Sequence, residues 1–265
     1  MSASPFLLIS GPCVIETEEL TLRIATELKR LAAEAGLKLV FKASFDKANR
    51  SGAGALRGVG IDEGLRILQK VKDDLGLPVT TDVHETGQME AAAQVVDILQ
   101  IPAFLCRQTD LLLAAAAAAA KHGRSVNVKK GQFLAPEDVD NIGEKLRFGG
   151  CSDYWITERG TTFGYRNLVV DMRGLAQMKA AGHRVIFDAT HSVQRPGGLG
   201  KATGGDGALA PVLARAAVAV GIDGLFVETH PDPATSPSDG PNMIPLAEMG
   251  PLLRKLVRIH EAAHL

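Results

Sequence analysis

Six basic residues, Lys42, Lys47, Arg50, Arg107, Lys129 and Arg159, each come after a short apolar run of the chain. Charge-assisted hydrogen bonds to phosphate and carboxylate need such groups, and arginine adds planar two-pronged contacts. The chain as a whole is nearly neutral, with 29 Lys plus Arg against 30 Asp plus Glu. Cations gathered in one cleft of such a chain repel each other unless anions sit between them. Their convergence would imply a substrate with more than one phosphate or carboxylate. A second set is Cys13, His191, Glu228 and Asp239, the last within Ser238-Asp239-Gly240. Thiolate, imidazole and carboxylates together suit a borderline divalent ion such as Zn²⁺, Fe²⁺ or Mn²⁺. On spacing alone, Cys13 also reads as an ordinary packing residue, as Cys106 and Cys151 do. A third feature is the glycine-dense stretch from Pro196 to Gly207, readable as a closing lid, a phosphate cradle or a plain connector. No Ser-His-Asp or Cys-His nucleophile arrangement and no Walker motif is legible.

These residues need elements to bring them together. Strands are expected near Phe6–Ser10, Leu39–Lys42, Val79–Asp82, Ile98–Ile101, Val126–Lys129, Tyr154–Thr157, Val185–Asp188 and Leu225–Glu228. Most are continuously apolar, which suits a parallel sheet buried on both faces. Helical periodicity occupies Glu18–Ala35, Ile61–Leu75, Asp110–His122, Leu209–Val220 and Leu246–His264. The alanine run Ala114–Ala120 fits a plain helix packed on the sheet. Eight strand–helix units in 265 residues predict an α/β fold of the (β/α)₈ TIM-barrel class, one catalytic domain spanning residues 1–265. The alternative, an open doubly wound sheet, calls for a GxGxxG after the first strand, and Ser10-Gly11-Pro12-Cys13 is not one. In a closed barrel the strands before Cys13, His191 and Glu228 are neighbours. The basic residues and Asp82, His84 and Gln100 then fall on the same rim, at the C-terminal ends of the strands, where barrel enzymes build their sites.

Composition narrows the function classes. Apolar residues make up 46% and charged residues 22%, ordinary for a globular domain. A net charge of −1 argues against a broad surface for nucleic acid. The longest apolar run, Leu111–Ala120, is ten residues, whereas a membrane span needs roughly 18 or more. The first ten residues lack the basic region and apolar length of a secretion signal. Three cysteines without paired spacing point to a reducing cytoplasm rather than a disulfide framework.

Several words of the chain occur together and in order. They are Gly11-Pro12-Cys13-Val14-Ile15-Glu16, the segment Phe41 to Ser51 containing Lys47-Ala48-Asn49-Arg50-Ser51, Thr81-Asp82-Val83-His84-Glu85, and Gln100 to Asp110. Asn127-Val128-Lys129-Lys130-Gly131-Gln132-Phe133, Thr157 to Tyr165, Phe187 to Gln194, and Glu228-Thr229-His230-Pro231 follow. As a set, over essentially the whole length, they resemble the 3-deoxy-D-manno-octulosonate 8-phosphate synthase family. The resemblance implies a transferase that condenses phosphoenolpyruvate with D-arabinose 5-phosphate on the way to lipopolysaccharide, as a cytoplasmic homotetramer.

It also implies roles. Lys42, Lys47, Lys129 and Arg159 would hold the phosphate and carboxylate of phosphoenolpyruvate. Asn49, Arg50 and Ser51 would hold the sugar phosphate, with Arg107 reaching in from a neighbouring subunit. Asp82, His84 and Gln100 would line the pocket. A cysteine at position 13, where metal-independent members carry asparagine, marks the metal-requiring class, with Cys13, His191, Glu228 and Asp239 as ligands. Lys47, Asp82, His84, His191 and Asp239 are the candidate catalytic residues. A water on the ion, Asp239 or His191 would carry the proton. Two positions depart from common members of the family: Gly52 follows Ser51 where a second serine is usual, and Gly240-Pro241-Asn242 follows Asp239. The rivals are the related 3-deoxy-heptulosonate 7-phosphate synthase, whose sugar motif typically reads Lys-Pro-Arg-Thr where this chain has Lys47-Ala48-Asn49-Arg50, and a non-catalytic barrel that binds anionic metabolites.

Overall fold

Eight parallel strands close on themselves: β1 (Leu7–Gly11), β2 (Lys38–Lys42), β3 (Val79–Asp82), β4 (Ile98–Ile101), β5 (Ser125–Lys129), β6 (Tyr154–Glu158), β7 (Arg184–Asp188) and β8 (Gly224–His230). The computed structural model describes residues 6–49, 52, 54, 56–197 and 204–264. Each strand pairs with the next in sequence, and β8 pairs back with β1 from Leu7↔Gly224 to Gly11↔Glu228. This is the expected (β/α)₈ barrel. The eight expected strands are all present, two of them with the expected bounds and the rest shifted at an end by one or two residues.

The helices are α1 (Glu18–Glu34), α2 (Ile61–Leu75), α3 (Met89–Val95), α4 (Thr109–His122), α5 (Val139–Phe148), α6 (Met172–Ala180), α7 (Ala210–Val220) and α8 (Leu246–Ala263). The Thr17 side chain caps α1 by accepting from the Leu20 amide at 3.1 Å. Gly123 closes α4 in the left-handed conformation, φ +63°, after Lys121 and His122. The alanines of α4 pack as expected, with Ala115, Ala116, Ala118 and Ala119 buried. Helices α3, α5 and α6 were not legible as helical periodicity. They are short, and α5 and α6 carry Gly143 and Gly174. A Cβ at Gly143 would lie 2.3 Å from the Tyr154 hydroxyl, so packing against β6 requires the residue that weakens the helical signal.

Along each strand alternate side chains enter the barrel. Low in the interior, Ile9, Val40, Ile98, Trp155, Ile186 and Phe226 form one apolar cluster, distinct from the larger one between sheet and helices. Full burial of such side chains contributes about 1.5–3 kcal/mol each. Two residues further along the same strands stand Lys42, Gln100, Thr157, Asp188 and Glu228, with Asp82, Asn127 and Lys129 beside them. The barrel is therefore apolar at its base and polar at its C-terminal mouth.

Candidate active site

Strand β1 ends in a glycine that nothing else could replace. A Cβ at Gly11 would sit 2.0 Å from the Lys42 carbonyl oxygen. This close approach of β1 and β2 lets Lys42 Nζ donate to the Cys13 carbonyl at 2.8 Å and to Glu228 Oε1 at 2.7 Å. Cys13, Glu228 and Asp239 bring donor atoms within 4.8 Å of one another. Burial and the Glu228 carboxylate push the Cys13 thiol up. It is therefore protonated at neutral pH, donating to Ser238 Oγ at 3.0 Å and Asp239 Oδ2 at 3.3 Å. Asp239 adopts the left-handed conformation, φ +55°, which aspartate tolerates better than most residues. The Gly240-Pro241-Asn242 flank does not displace it, and Gly240 is needed there: a Cβ would lie 2.2 Å from the Pro233 carbonyl.

His191 stands beside this trio, with Nε2 3.6 Å from Glu228 Oε2. Its Nδ1 is engaged by Asp188 Oδ2 at 2.6 Å, and its backbone amide donates to Asp188 Oδ1 at 2.9 Å. A carboxylate on one ring nitrogen fixes the orientation of the other, the usual second layer of a metal-binding imidazole. Glu228 Oε2 is buried with no hydrogen-bond partner. An unpartnered carboxylate oxygen beside a thiol and an imidazole has the character of a cation ligand. The donor set of one sulfur, one nitrogen and two carboxylates fits a borderline divalent ion.

The cations face this group. Lys129 Nζ pairs with Asp188 and lies 3.5 Å from the centre of the Phe226 ring. Lys47 Nζ lies 3.3 Å from Asp82 Oδ2. Burial pulls Lys47 down, but the Asp82, Glu228 and Asp239 carboxylates outweigh it and hold the ammonium well above its ordinary value. Asp82 is likewise pushed up by burial and carried well below the carboxylate range by Lys47, Lys42 and His84. Arg159 is only 5% exposed; Nη2 donates to Gln194 Oε1, and Nη1 is buried without a partner. Gln194 Nε2 donates in turn to Asp239 Oδ1 at 2.7 Å, so one amide joins the cationic and the ligand halves.

Other expected residues fall less neatly. His84 packs edge-on to Phe45, ring centres 6.2 Å apart, with Nδ1 buried and unpartnered; burial lowers its pKa against Asp82 and Asp46. Gln100 is fully buried, donating to Asp82 Oδ1 at 2.7 Å and accepting from Asn127 at 2.9 Å. Asn49 is exposed at the mouth, and Arg50 and Ser51 lie outside the described residues, as does the middle of the glycine-dense stretch, 198–203. Arg107 is exposed before α4, and the one contact described for it is its carbonyl accepting from Lys145 Nζ at 3.3 Å. The structure does not bring it into the cluster. Cys106 and Cys151 are buried away from it, as expected. The sequence marks Asp188 only as the end of a strand and assigns no role to it, to Gln194 or to Ser238. The three-residue spacing of Asp188 and His191 was the available signal.

Comparison with known proteins agrees with this geometry. The DAHP synthetase I family matches residues 2–263. A 2-dehydro-3-deoxyphosphooctonate aldolase of Synechococcus sp. is 57% identical over 258 residues, 97% of this chain and 89% of that protein. Proteins of the same name from Rhodopseudomonas palustris and Trichlorobacter lovleyi are 56% identical over 263 residues (99% and 90% of the two chains) and 57% over 250 (94% and 90%). The chain therefore belongs to the DAHP synthetase I family and, within it, groups with the 2-dehydro-3-deoxyphosphooctonate aldolases.

Proposed function

We propose that the chain condenses phosphoenolpyruvate with D-arabinose 5-phosphate and water, giving 3-deoxy-D-manno-octulosonate 8-phosphate and inorganic phosphate. This is a transferase step toward lipopolysaccharide, and it is the reaction behind the relatives' aldolase name. One observation carries the reading: a nest of buried cations and a thiol–carboxylate–imidazole cluster share one barrel mouth, joined through Gln194.

The methylene carbon of phosphoenolpyruvate bonds to the aldehyde carbon, water adds to the neighbouring carbon, and the C–O bond to phosphate breaks. Lys42, Lys47, Lys129 and Arg159 hold the phosphate and carboxylate, with the unpartnered Arg159 Nη1 offering a free donor to an anionic oxygen. Fixed cations in a dry cavity stabilise the departing phosphate without reorganising. Asn49, Arg50 and Ser51 hold the sugar phosphate at the mouth, and Asp82, His84 and Gln100 shape the pocket between. Cys13, His191, Glu228 and Asp239 would hold a divalent ion, Zn²⁺, Fe²⁺ or Mn²⁺, which when bound supplies positive charge to the developing alkoxide. His191, steadied by Asp188, and Asp239 are the groups placed to move a proton.

Assembly as a homotetramer is supported by Phe104, Phe133, Phe163 and Tyr165, all exposed on the loops after β4, β5 and β6, the first of which also carries Arg107, which would then serve a neighbouring subunit. Three free, buried cysteines support a cytoplasmic setting, and no described helix is long and apolar enough to cross a membrane. The test is phosphate release from phosphoenolpyruvate with four- and five-carbon aldose phosphates, before and after chelation. Turnover with arabinose 5-phosphate that chelation abolishes and Mn²⁺ restores is expected. Preference for erythrose 4-phosphate, or binding without turnover, would refute the reading.

A further inference from the structure

Four buried side chains on consecutive strands form a hydrogen-bonded row beneath the mouth. Strand register sets Asp82 beside Gln100 and Gln100 beside Asn127, and Thr157 follows on β6. Thr157 Oγ1 donates to Asn127 Oδ1 at 2.7 Å, Asn127 Nδ2 donates to Gln100 Oε1 at 2.9 Å, and Gln100 Nε2 donates to Asp82 Oδ1 at 2.7 Å. At the far end, Asp82 Oδ2 accepts from Ser44 Oγ at 2.6 Å and Lys47 Nζ at 3.3 Å. Thr157, Asn127 and Gln100 are each fully buried, so no water can replace a lost partner cheaply.

The direction of this row follows from chemistry. An ionised carboxylate only accepts, so Gln100 must turn its NH₂ toward Asp82 and its oxygen toward Asn127. Asn127 must then present its own NH₂ to Gln100 and its oxygen to β6. The threonine hydroxyl, free to rotate, supplies the donor that closes the sequence. Without that donor, Asn127 Oδ1 is left buried and unpaired, and the far end of the row no longer holds Gln100 firmly against the Asp82 carboxylate.

We infer that Thr157 and Asn127 are positioning residues for the reaction: they lock Gln100 so that Asp82 stays fixed and aims the Lys47 ammonium at the bound anion. Neither residue belongs to the set assigned to the reactants, and the inference rests on the proposed site for phosphoenolpyruvate.

Calorimetric titration of the full-length protein with phosphoenolpyruvate alone tests it. Thr157→Val, nearly the same shape without the hydroxyl, is expected to weaken binding about tenfold, and Thr157→Ser to stay within about twofold of the parent. Asn127→Asp, which forces an acceptor onto Gln100, is expected to weaken it more; should that variant not fold, the two Thr157 variants decide. A purely structural role would lower the melting temperature of Thr157→Val and leave its dissociation constant unchanged. That result, or equal impairment of the valine and serine variants, overturns the inference. Parent protein that binds phosphoenolpyruvate but releases no phosphate with arabinose 5-phosphate overturns the reaction assignment instead. Parent protein that does not bind phosphoenolpyruvate overturns both.

Discussion

The base and the mouth of this barrel are made from the same strands, two residues apart, and are opposites in chemistry. At the base, Ile9, Val40, Ile98, Trp155, Ile186 and Phe226 form an uncharged apolar cluster whose one polar side-chain atom, the Trp155 indole Nε1, is buried without a partner. At the mouth, Lys42, Lys129, Arg159, Asp188 and Glu228 are as deeply buried, yet charged, and two of them keep a polar atom with no partner. Burying charge costs free energy that packing the same volume with apolar groups would not. A barrel selected for stability alone would extend its base upward; this one buries charge at the mouth instead.

That contrast can be broken at either end. The largest effect is expected at the base: Ile186→Ala should cost about 2–5 kcal/mol in chemical denaturation, while the activity of the molecules that remain folded is kept. At the mouth, Arg159→Ala should lower kcat/KM at least about a hundredfold, the reverse pattern, and leave the stability of the ligand-free protein unchanged or improved by removing a charge that is costly to bury. A large fall in melting temperature for this variant would contradict the division. Cys13→Asn should abolish metal stoichiometry measured by elemental analysis; unchanged metal content would remove Cys13 from the ligand set.

Acid provides a subtler probe. Burial raises the Asp239 carboxyl, but the His191 and Lys47 charges and the hydrogen bonds from Cys13 and Gln194 bring it down to about 2. A carboxyl lowered in the folded state stabilises above its unfolded value of about 3.9, and that contribution is lost as pH falls through the folded value. Denaturation midpoints of the metal-free protein should therefore drop between about pH 4 and pH 2, and Asp239→Asn should flatten that limb. Smallest of all, Arg30→Ala on the exposed face of α1, where Arg30 pairs with Glu27 and Glu34, should change neither activity nor stability measurably.

Much of this was readable from the chain because strands and rim residues are local features. Eight apolar runs mark β1–β8, and each is followed by a residue type that could do chemistry. The bonds between those residues were not readable. The Gln194 bridge spans loops 35 and 45 residues away in sequence, and the row from Thr157 to Asp82 depends on strand register. Helix α5 was hidden by Gly143, whose presence answers to Tyr154 on another element. Arg107 illustrates the opposite case: its word in the chain was plain, but the fold leaves it exposed before α4, outside the cluster.

Gly11 offers no functional group, yet β1 and β2 can converge above the base only because it lacks a side chain. In a saturation library screened by growth, its tolerance profile should be as narrow as that of Lys42, and a reader of such a map would mark an atom-poor hinge point as an active-site residue. Intolerance to change, in this protein, reports who must stand close as faithfully as who reacts.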